Sequence, residues 1–286
     1  MVGWLSAKLR WIVGALLAAG AIGPAVADGT LDRIKDSGEI RLAYRADASP
    51  FSYELDGKPS GYSVNLCLEV AKGLKENLNL PKLTVSFVKV TAENRFDAIT
   101  EGQADLLCEA TTATLARREK MDFSIDTFVS GASLVIRPGG PTSVDTLAGQ
   151  KIGVLEGTTT LQALERTLRE NAITAEVIVV KTHDEGFEKL EKGEITVYFG
   201  DRTILEDRLR RIPSGTKLLL AENYLTIEPY ALAMPIDHDF RLAVDRSLSH
   251  LFRTGGLIKV FRQSFDPKAK PSDLIKMLSR VSGLPD

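Results

Sequence analysis

Several loops that directly follow predicted β-strands carry groups able to hold a small charged molecule. Arg117 can fork onto a carboxylate through two parallel hydrogen bonds, and segment 110–112 offers backbone amides and hydroxyls. Segment 157–159 opens a predicted helix, whose free N–H groups attract an anion. Asp201 follows another strand and can accept an ammonium group. Each feature alone has a simpler explanation as a helix cap or a surface charge, but together they match the two charged groups of an amino acid.

A repeated strand, helix, strand pattern is expected to position these loops. Its elements fall at 84–90, 94–101 and 105–108 in the first copy and at 177–180, 187–192 and 195–199 in the second. Each copy is preceded by a further strand and helix, at 40–44 and 63–75, and at 151–155 and 160–169. The pattern predicts two α/β lobes with largely parallel sheets, whose ligands bind at the carboxyl ends of the strands.

Composition and charge exclude several kinds of partner. The 286 residues include 36 Lys and Arg against 38 Asp and Glu, a formal net charge of -2, so the chain has no field that would concentrate nucleic acid. The sequence has no nucleophile elbow, no phosphate-binding glycine loop and no metal-ligand cluster around His183, His238 and His250. We therefore expect a small-molecule ligand, no metal and no cofactor.

The first residues form a predicted signal peptide. Two basic residues precede an apolar run at 11–22, which is shorter than the roughly 20 residues that span a bilayer. Ala25 and Ala27 are the small residues that signal peptidase prefers. We expect cleavage after Ala27 and an exported mature chain.

Export gives a meaning to the two cysteines, Cys67 and Cys108. An oxidising compartment favours a disulfide between thiols that can meet, and their separation matches no zinc motif. Cys67 lies on the apolar stripe of the helix at 63–75 and Cys108 ends a hydrophobic strand, so two buried free thiols in one core are the alternative.

Several stretches of the chain resemble a known family. They are ADLLCEATTATLARR at 104–118 with DFS at 122–124, SPFSY at 49–53 with GYS at 61–63, and FRTGG at 252–256. From residue 31 to about 265 the chain is similar to the bacterial extracellular solute-binding proteins of family 3, the amino-acid receptors of ABC importers. Tyr44-Arg45, Asn94-Arg95 and segment 181–183 resemble the glutamate/aspartate-binding group most.

The resemblance implies an α/β fold of the two-lobed type II periplasmic-binding-protein kind, in which each lobe is a mostly parallel sheet flanked by helices and two strands form the hinge. Lobe one would comprise 28–135 and 231–286, and lobe two 136–230. The resemblance also implies a periplasmic protein that delivers an amino acid to an ABC transporter permease, and a monomer is the simplest expectation.

The family pattern assigns a role to single residues. Those matched to the ligand α-carboxylate are Arg117, Thr112 and either Thr158 or Thr159, and those matched to the α-ammonium are Asp201 and the carbonyl of Ala110. Arg45, Arg95 and His183 match positions that face the side-chain carboxylate in the acidic-ligand group. Two alternatives are a surface pair between Arg95 and Glu93, and a His183 that only caps the following helix.

Charge favours an acidic ligand independently of the resemblance. Three arginines and Asp201 in one cleft would carry a net charge of about +2, which glutamate or aspartate partly offsets. Because an unpaired, desolvated guanidinium is costly, we expect strong discrimination against glutamine. Ala92 and Ala110 replace serines that are frequent in the group, which would shift the preference between aspartate and glutamate or weaken both. Glu109 stands where glycine is common.

Two other functions fit the same architecture. Some proteins of this fold are cyclohexadienyl or arogenate dehydratases, which need a buried carboxylic acid in the cleft, and Glu109 and Glu156 are the candidates here. A ligand-sensing partner of a signalling receptor would use the same pocket.

Overall fold

The computed structural model of the chain describes residues 1, 29–212 and 217–285, and the predicted signal peptide with its cleavage site lies outside these described residues. The strands are β1 (Glu39–Arg45), β2 (Asp47–Ala48), β3 (Ser52–Leu55), β4 (Lys58–Ser60), β5 (Thr84–Val90), β6 (Leu106–Leu107), β7 (Asp122–Phe123), β8 (Phe128–Ser130), β9 (Ala132–Ile136), β10 (Lys151–Leu155), β11 (Glu176–Val180), β12 (Val197–Asp201), β13 (Leu219–Leu220), β14 (Glu228–Tyr230) and β15 (Ala233–Met234). The helices are α1 (Thr30–Ser37), α2 (Tyr62–Asn77), α3 (Arg95–Thr100), α4 (Leu115–Arg118), α5 (Thr159–Glu170), α6 (His183–Lys192), α7 (Arg202–Arg211), α8 (His238–Arg253), α9 (Gly256–Ser264) and α10 (Asp273–Val281). In the described ranges, no helix has the length and apolar character needed to cross a membrane.

The first lobe is built on a five-stranded sheet with the order β5-β1-β6-β15-β7. Strand β1 runs parallel to β5, from Glu39 opposite Thr84 to Arg45 opposite Val90. Helix α2 buries its apolar stripe in the core of this lobe, as its helical periodicity predicts. The parallel register brings the carboxyl ends of β1, β5 and β6 to one edge of the sheet, where the loops after them begin.

The second lobe repeats this plan with a sheet of order β11-β10-β12-β9-β13. Strand β10 is parallel to β11 and β12, and β9 is antiparallel to β12. Helix α6 packs closely on this sheet because Gly186 has no side chain: a β-carbon there would overlap the ring of Tyr198. This close approach brings the first residue of α6, His183, to the hydroxyl of Tyr198.

Two connections join the lobes, and their strands β8 and β14 pair with each other, Phe128 opposite Tyr230. Strand β9 belongs to the sheet of the second lobe, so the chain enters that sheet at Ala132, several residues before the boundary at 135/136 expected from the sequence. A buried strand that pairs inside a sheet has the same apolar pattern as one that crosses between lobes, which is why the sequence misplaces this point. The chain re-enters the first sheet through β15, as β15 pairs with β6 and β7.

A disulfide and a helix boundary complete the first lobe. Cys67 and Cys108 form a disulfide with their Cα atoms 6.1 Å apart, so the disulfide prediction is confirmed and the alternative of two free thiols is wrong. In the same lobe, the chain turns at Gly255 between α8 and α9. Gly255 has a φ of 75°, a left-handed conformation that ends one helix and redirects the chain into the next.

Candidate functional site

Arginine and carboxylate side chains from five separate segments meet in a buried cleft between the lobes. The first lobe contributes Arg45 at the end of β1, Arg95 at the start of α3, Glu109 after β6, and Arg117 on α4. The second lobe contributes Asp201 at the end of β12. These residues lie at or just after the carboxyl ends of strands, or on the helices that follow, which is the side of each sheet where the sequence predicts a ligand.

Glu109 forms ion pairs with two of these arginines. One of its carboxylate oxygens lies 3.4 Å from Nη1 of Arg45, and the other lies 3.1 Å from Nε of Arg95. The hydroxyl of Thr111 also donates a hydrogen bond to Glu109. Arg45 and Arg95 are each 2% exposed and Glu109 is 1% exposed. We call Arg45, Arg95 and Glu109 the arginine–glutamate cluster.

Arg95 points into the cleft and contacts the other lobe. Its Nη2 donates to the carbonyl of Gly157 at 2.9 Å, and its Nη1 donates to the carbonyl of Ala92. Glu93 is exposed, so the expected alternative of a surface pair with Arg95 is wrong. Burial lowers the pKa of Arg95 to about 10 against the opposing effect of Glu109, which leaves the guanidinium charged at neutral pH.

Arg45 has a second partner that the sequence did not single out. Asp47 accepts hydrogen bonds from Nε and Nη2 of Arg45, both at 3.0 Å. Although burial acts in the opposite direction, the Arg45 guanidinium lowers the pKa of Asp47, with a further contribution from His183. The positive charge of Arg45 is therefore already balanced by carboxylates of its own lobe.

His183 lies beside this pair. The alternative that it only caps its helix is wrong, because another residue is the cap. The side chain of Thr182 is the N-cap of α6, and it accepts from the backbone N–H of Glu185. The backbone N–H of His183 donates to Asp47 across the lobe boundary, and its Nδ1 lies 3.0 Å from the hydroxyl of Tyr198. Burial, reinforced by Arg45, lowers the pKa of His183 to about 4, so the ring is neutral at physiological pH.

Arg117 has fewer partners than Arg45 and Arg95. Its Nη1 donates to the carbonyl of Thr112 at 2.7 Å, and its guanidinium carbon lies 4.6 Å from the centre of the Phe96 ring. The side chain of Thr114 caps α4 by accepting from the backbone N–H of Arg117, which fixes the position of the arginine in the helix. No carboxylate lies within ion-pair distance of Arg117 among the described residues.

Glu228, a residue that was not predicted from the sequence, accepts hydrogen bonds from three threonine hydroxyls at the hinge. Thr112 of the first lobe donates to Glu228 at 2.5 Å, Thr159 of the second lobe at 2.9 Å, and Thr226 at 2.9 Å. The hydroxyls of Thr112 and Thr159 lie 3.3 Å apart, so the two lobes meet at this point. The only signal in the sequence was that residue 228 lies close to the predicted return to lobe one at residue 231.

Thr158 and Thr159 differ in what their hydroxyls do. Thr158 is the N-cap of α5: its hydroxyl accepts from the backbone N–H of Leu161 and donates to the carbonyl of Leu155. The hydroxyl of Thr159 is directed to the cleft and to Glu228. Of the two predicted alternatives, only Thr159 brings its side chain into the cleft.

Asp201 carries an oxygen without a partner. Its Oδ1 is buried and has no hydrogen-bond partner among the described residues. Burial raises the pKa of Asp201 to about 7, and the neighbouring carboxylate of Glu228 acts in the same direction, whereas the nearby hydroxyl of Tyr230 acts in the opposite one. Ala110, predicted to present its carbonyl nearby, is half-buried against the core of the first lobe. The Asp201 carboxyl is therefore the group in the cleft that gains most from a cationic ligand.

The charge balance of the cleft differs from the value of about +2 expected from the sequence. Asp47, Glu109 and Glu228 join Asp201, so four carboxylates face three arginines, a net charge of -1 when all are ionised. The count from the sequence omitted Glu109 and Glu228 because their contacts depend on how separate loops meet, and it overlooked Asp47, which is two residues from Arg45.

Two α/β lobes, joined by a pair of strands around a buried polar cleft, define a two-lobed solute-binding protein. A family model described as "Bacterial extracellular solute-binding proteins, family 3" matches residues 40–266, so the chain is a member of this family. The predicted family and fold class are thereby confirmed. No group of three or more His, Cys, Asp or Glu side chains in the described ranges is arranged to hold a metal ion.

Individual proteins with related sequences or folds are similar over most of the chain. The L-glutamate/L-aspartate-binding protein of Pseudomonas aeruginosa is 30% identical, covering 92% of this chain and 88% of the relative. The glutamate/aspartate import solute-binding protein of Salmonella typhimurium is 27% identical, covering 94% and 90%. Among solved structures, the ancestral amino acid-binding protein AncCDT-1, a precursor of cyclohexadienyl dehydratase, matches with a TM-score of 0.72 at 23% identity, covering 83% of this chain and 100% of that structure.

Proposed function

We propose that this protein captures an amino acid, with glutamate and aspartate as its ligands, and delivers it to an ABC transporter permease in the periplasm. The observation that carries the proposal is that Arg117, with no carboxylate within ion-pair distance among the described residues, and the unpartnered oxygen of Asp201 lie in one cleft between the lobes, where they match the two backbone charges of an amino acid. The names of the relatives from Pseudomonas and Salmonella support the same ligand class.

Each end of the ligand has proposed partners in the cleft. Arg117 binds the α-carboxylate, assisted by Thr112 and by Thr159, while the N-terminus of α5 that Thr158 caps adds a favourable dipole. Asp201 and the carbonyl of Ala110 bind the α-ammonium. The arginine–glutamate cluster and His183 then border the ligand side chain.

Closure of the lobes links binding to delivery. Contacts that cross between the lobes include Arg95 with the Gly157 carbonyl and Thr112 with Thr159. A ligand that bridges Arg117 and Asp201 adds to these contacts and stabilises the closed form, which presents a surface that a permease can recognise. A monomer is sufficient for this function, with the signal peptide cleaved after Ala27 on export.

Calorimetric titration tests the proposal directly. The mature chain, residues 28–286, is unfolded and refolded to remove carried-over ligand, then titrated with glutamate, aspartate, arginine, histidine and citrate. Binding of glutamate and aspartate, with no heat from arginine, histidine or citrate, is the expected result. Silence toward every amino acid would contradict it. Uptake of labelled glutamate, lost when the gene is deleted and restored by complementation, separates import from a sensing role.

A dehydratase is the second candidate function, and one observation favours it: Asp201 is a buried carboxyl whose pKa is raised to about 7, a value suited to a general acid. The acids expected from the sequence are less suitable. Glu109 already forms ion pairs with two arginines, and Glu156, which follows β10, makes no side-chain hydrogen bond or ion pair with another cleft residue in the described part of the chain. Incubation with prephenate or arogenate and measurement of ultraviolet absorbance decides: an aromatic product, lost in Asp201→Asn, would establish the enzyme.

A further inference from the structure

Glu109 is fixed in its place between the two arginines. It comes directly after Cys108, which the disulfide ties to helix α2, and it is 1% exposed. Both carboxylate oxygens have cationic partners, and the hydroxyl of Thr111 donates to one of them. To swing away, the carboxylate would have to leave two buried guanidinium groups, at a cost typical of a broken buried ion pair.

This position changes what the ligand side chain meets. Arg45 and Arg95 carry two positive charges, and Asp47 and Glu109 carry two negative charges within ion-pair distance of them. The arginines are therefore neutralised by the protein itself. A ligand with an uncharged amide side chain leaves no guanidinium unpaired, whereas a ligand carboxylate adds a third anion that must share the two arginines with Glu109.

We propose that Glu109 is a specificity-determining residue that makes the cleft accept the amide amino acids, glutamine and asparagine, alongside glutamate and aspartate. The carboxylate of Glu109 acts as a built-in substitute for the side-chain carboxylate of an acidic ligand. The strong discrimination against glutamine expected from three unpaired arginines is thereby removed. This inference rests on the proposed function, because it concerns the side-chain end of the same amino-acid site.

The alternative for Glu109 is a purely structural role, in which it only satisfies the buried arginines. A structural residue affects the free energy of unfolding and weakens all ligands alike. A specificity residue changes the ratio of two affinities, and the direction of that change is fixed by charge. Glutamate and glutamine have nearly the same shape, so their ratio isolates this electrostatic effect.

The test measures the dissociation constants of glutamate and glutamine by calorimetry for the wild type, Glu109→Gln, Glu109→Asp and the control Glu93→Gln. The control Glu93→Gln removes the same charge two residues from Arg95, but from an exposed side chain. We expect the wild-type affinities to lie within about tenfold of each other, and Glu109→Gln to raise the preference for glutamate at least about tenfold, because it frees the arginines for the ligand carboxylate. Glu109→Asp, which keeps the charge, and the control should retain the wild-type ratio.

Two results would overturn the inference while leaving the proposed function intact. One is a wild type that binds glutamate more than about a hundredfold better than glutamine, which needs no variant to fold. The other is a folded Glu109→Gln protein that binds both ligands with an unchanged ratio. If the wild type bound neither ligand, the proposed function itself would fail, and this inference with it.

Discussion

The two ends of the cleft use the same kinds of side chain in opposite ways. At one end, Arg117 has a single backbone carbonyl as its hydrogen-bond partner, and Asp201 has an oxygen with no hydrogen-bond partner among the described residues. At the other end, Arg45 and Arg95 are already paired with carboxylates of the protein. The Arg117 and Asp201 end lacks partners, which the α-carboxylate and α-ammonium of an amino acid supply. The two arginines at the other end have charged partners without any ligand.

This difference separates two aspects of recognition. Groups that are buried and under-satisfied gain the most from a ligand, so the Arg117 and Asp201 end is expected to supply most of the binding free energy. The arginine–glutamate cluster shapes and tunes the pocket that holds the ligand side chain. Ligand choice then depends on how a side chain competes with Glu109, and not on the number of arginines alone.

The largest effect is expected from removing the cation at the under-satisfied end. Arg117→Ala should weaken glutamate binding roughly a thousandfold, because a buried charge that loses its partner costs about 3–5 kcal/mol. The matched control is Arg118→Ala, whose exposed side chain lies over the Phe123 ring. Calorimetry of both variants measures the difference, and equal affinities would contradict the role given to Arg117.

The scaffold of the paired end can be weakened without touching its charges. The disulfide spans a sequence separation of 41 residues, and replacing both Cys67 and Cys108 with alanine should lower the free energy of unfolding by about 4 kcal/mol. Urea unfolding measures this loss, and dithiothreitol should affect only the wild type. If the folded variant also gained preference for glutamate over glutamine, as expected of Glu109→Gln, the bridge would be needed to position Glu109 and not only to stabilise the fold.

The pH dependence of binding tests the state of Asp201. Its pKa is raised to about 7, so in the ligand-free protein the carboxyl holds a proton below that pH, whereas a bound ammonium favours the carboxylate. Binding must then release the proton, and affinity should fall about a hundredfold from pH 8 to pH 5. His183, with its pKa lowered to about 4, stays neutral over this window. Asp201→Asn should bind weakly with a flat profile, and a flat wild-type profile would argue against the role of Asp201.

The smallest effects are expected from substituting the adjacent residues Thr158 and Thr159, one at a time. Thr159→Ala removes a hydroxyl from the cleft and should weaken ligand affinity about tenfold. Thr158→Ala removes the cap of α5 and should instead lower the free energy of unfolding by about 1 kcal/mol. Thermal unfolding and calorimetry on both variants separate the two effects. A larger loss of affinity in Thr158→Ala than in Thr159→Ala would reverse the assignment.

Local patterns in the sequence were sufficient for most of the fold. Strands 84–90 and 151–155 are observed with the predicted bounds, and the arginines lie at a strand end or on the short helices that follow the strands. These features depend on residues near one another in the chain. The entry into the second lobe was misplaced because β9 is buried by long-range pairing, which leaves no local mark.

The partners of the cleft residues could not be predicted in the same way. Glu109 was noticed as a departure from the family pattern, but its pairing with Arg45 and Arg95 depends on how three loops meet. Glu228 and Asp47 are far along the sequence from the groups that they contact in the other lobe. A carboxylate with such a distant partner cannot be told from a surface carboxylate by its local sequence. A count of charges from the sequence therefore gave the wrong sign for the cleft.

A crystal structure of the complex with glutamate is the most direct test of the two-ended cleft. The account predicts the α-carboxylate on Arg117, the α-ammonium on Asp201, and Glu109 still within ion-pair distance of both Arg45 and Arg95. A ligand bound in the reverse direction, or a Glu109 carboxylate displaced from both arginines by the ligand side chain, would contradict it.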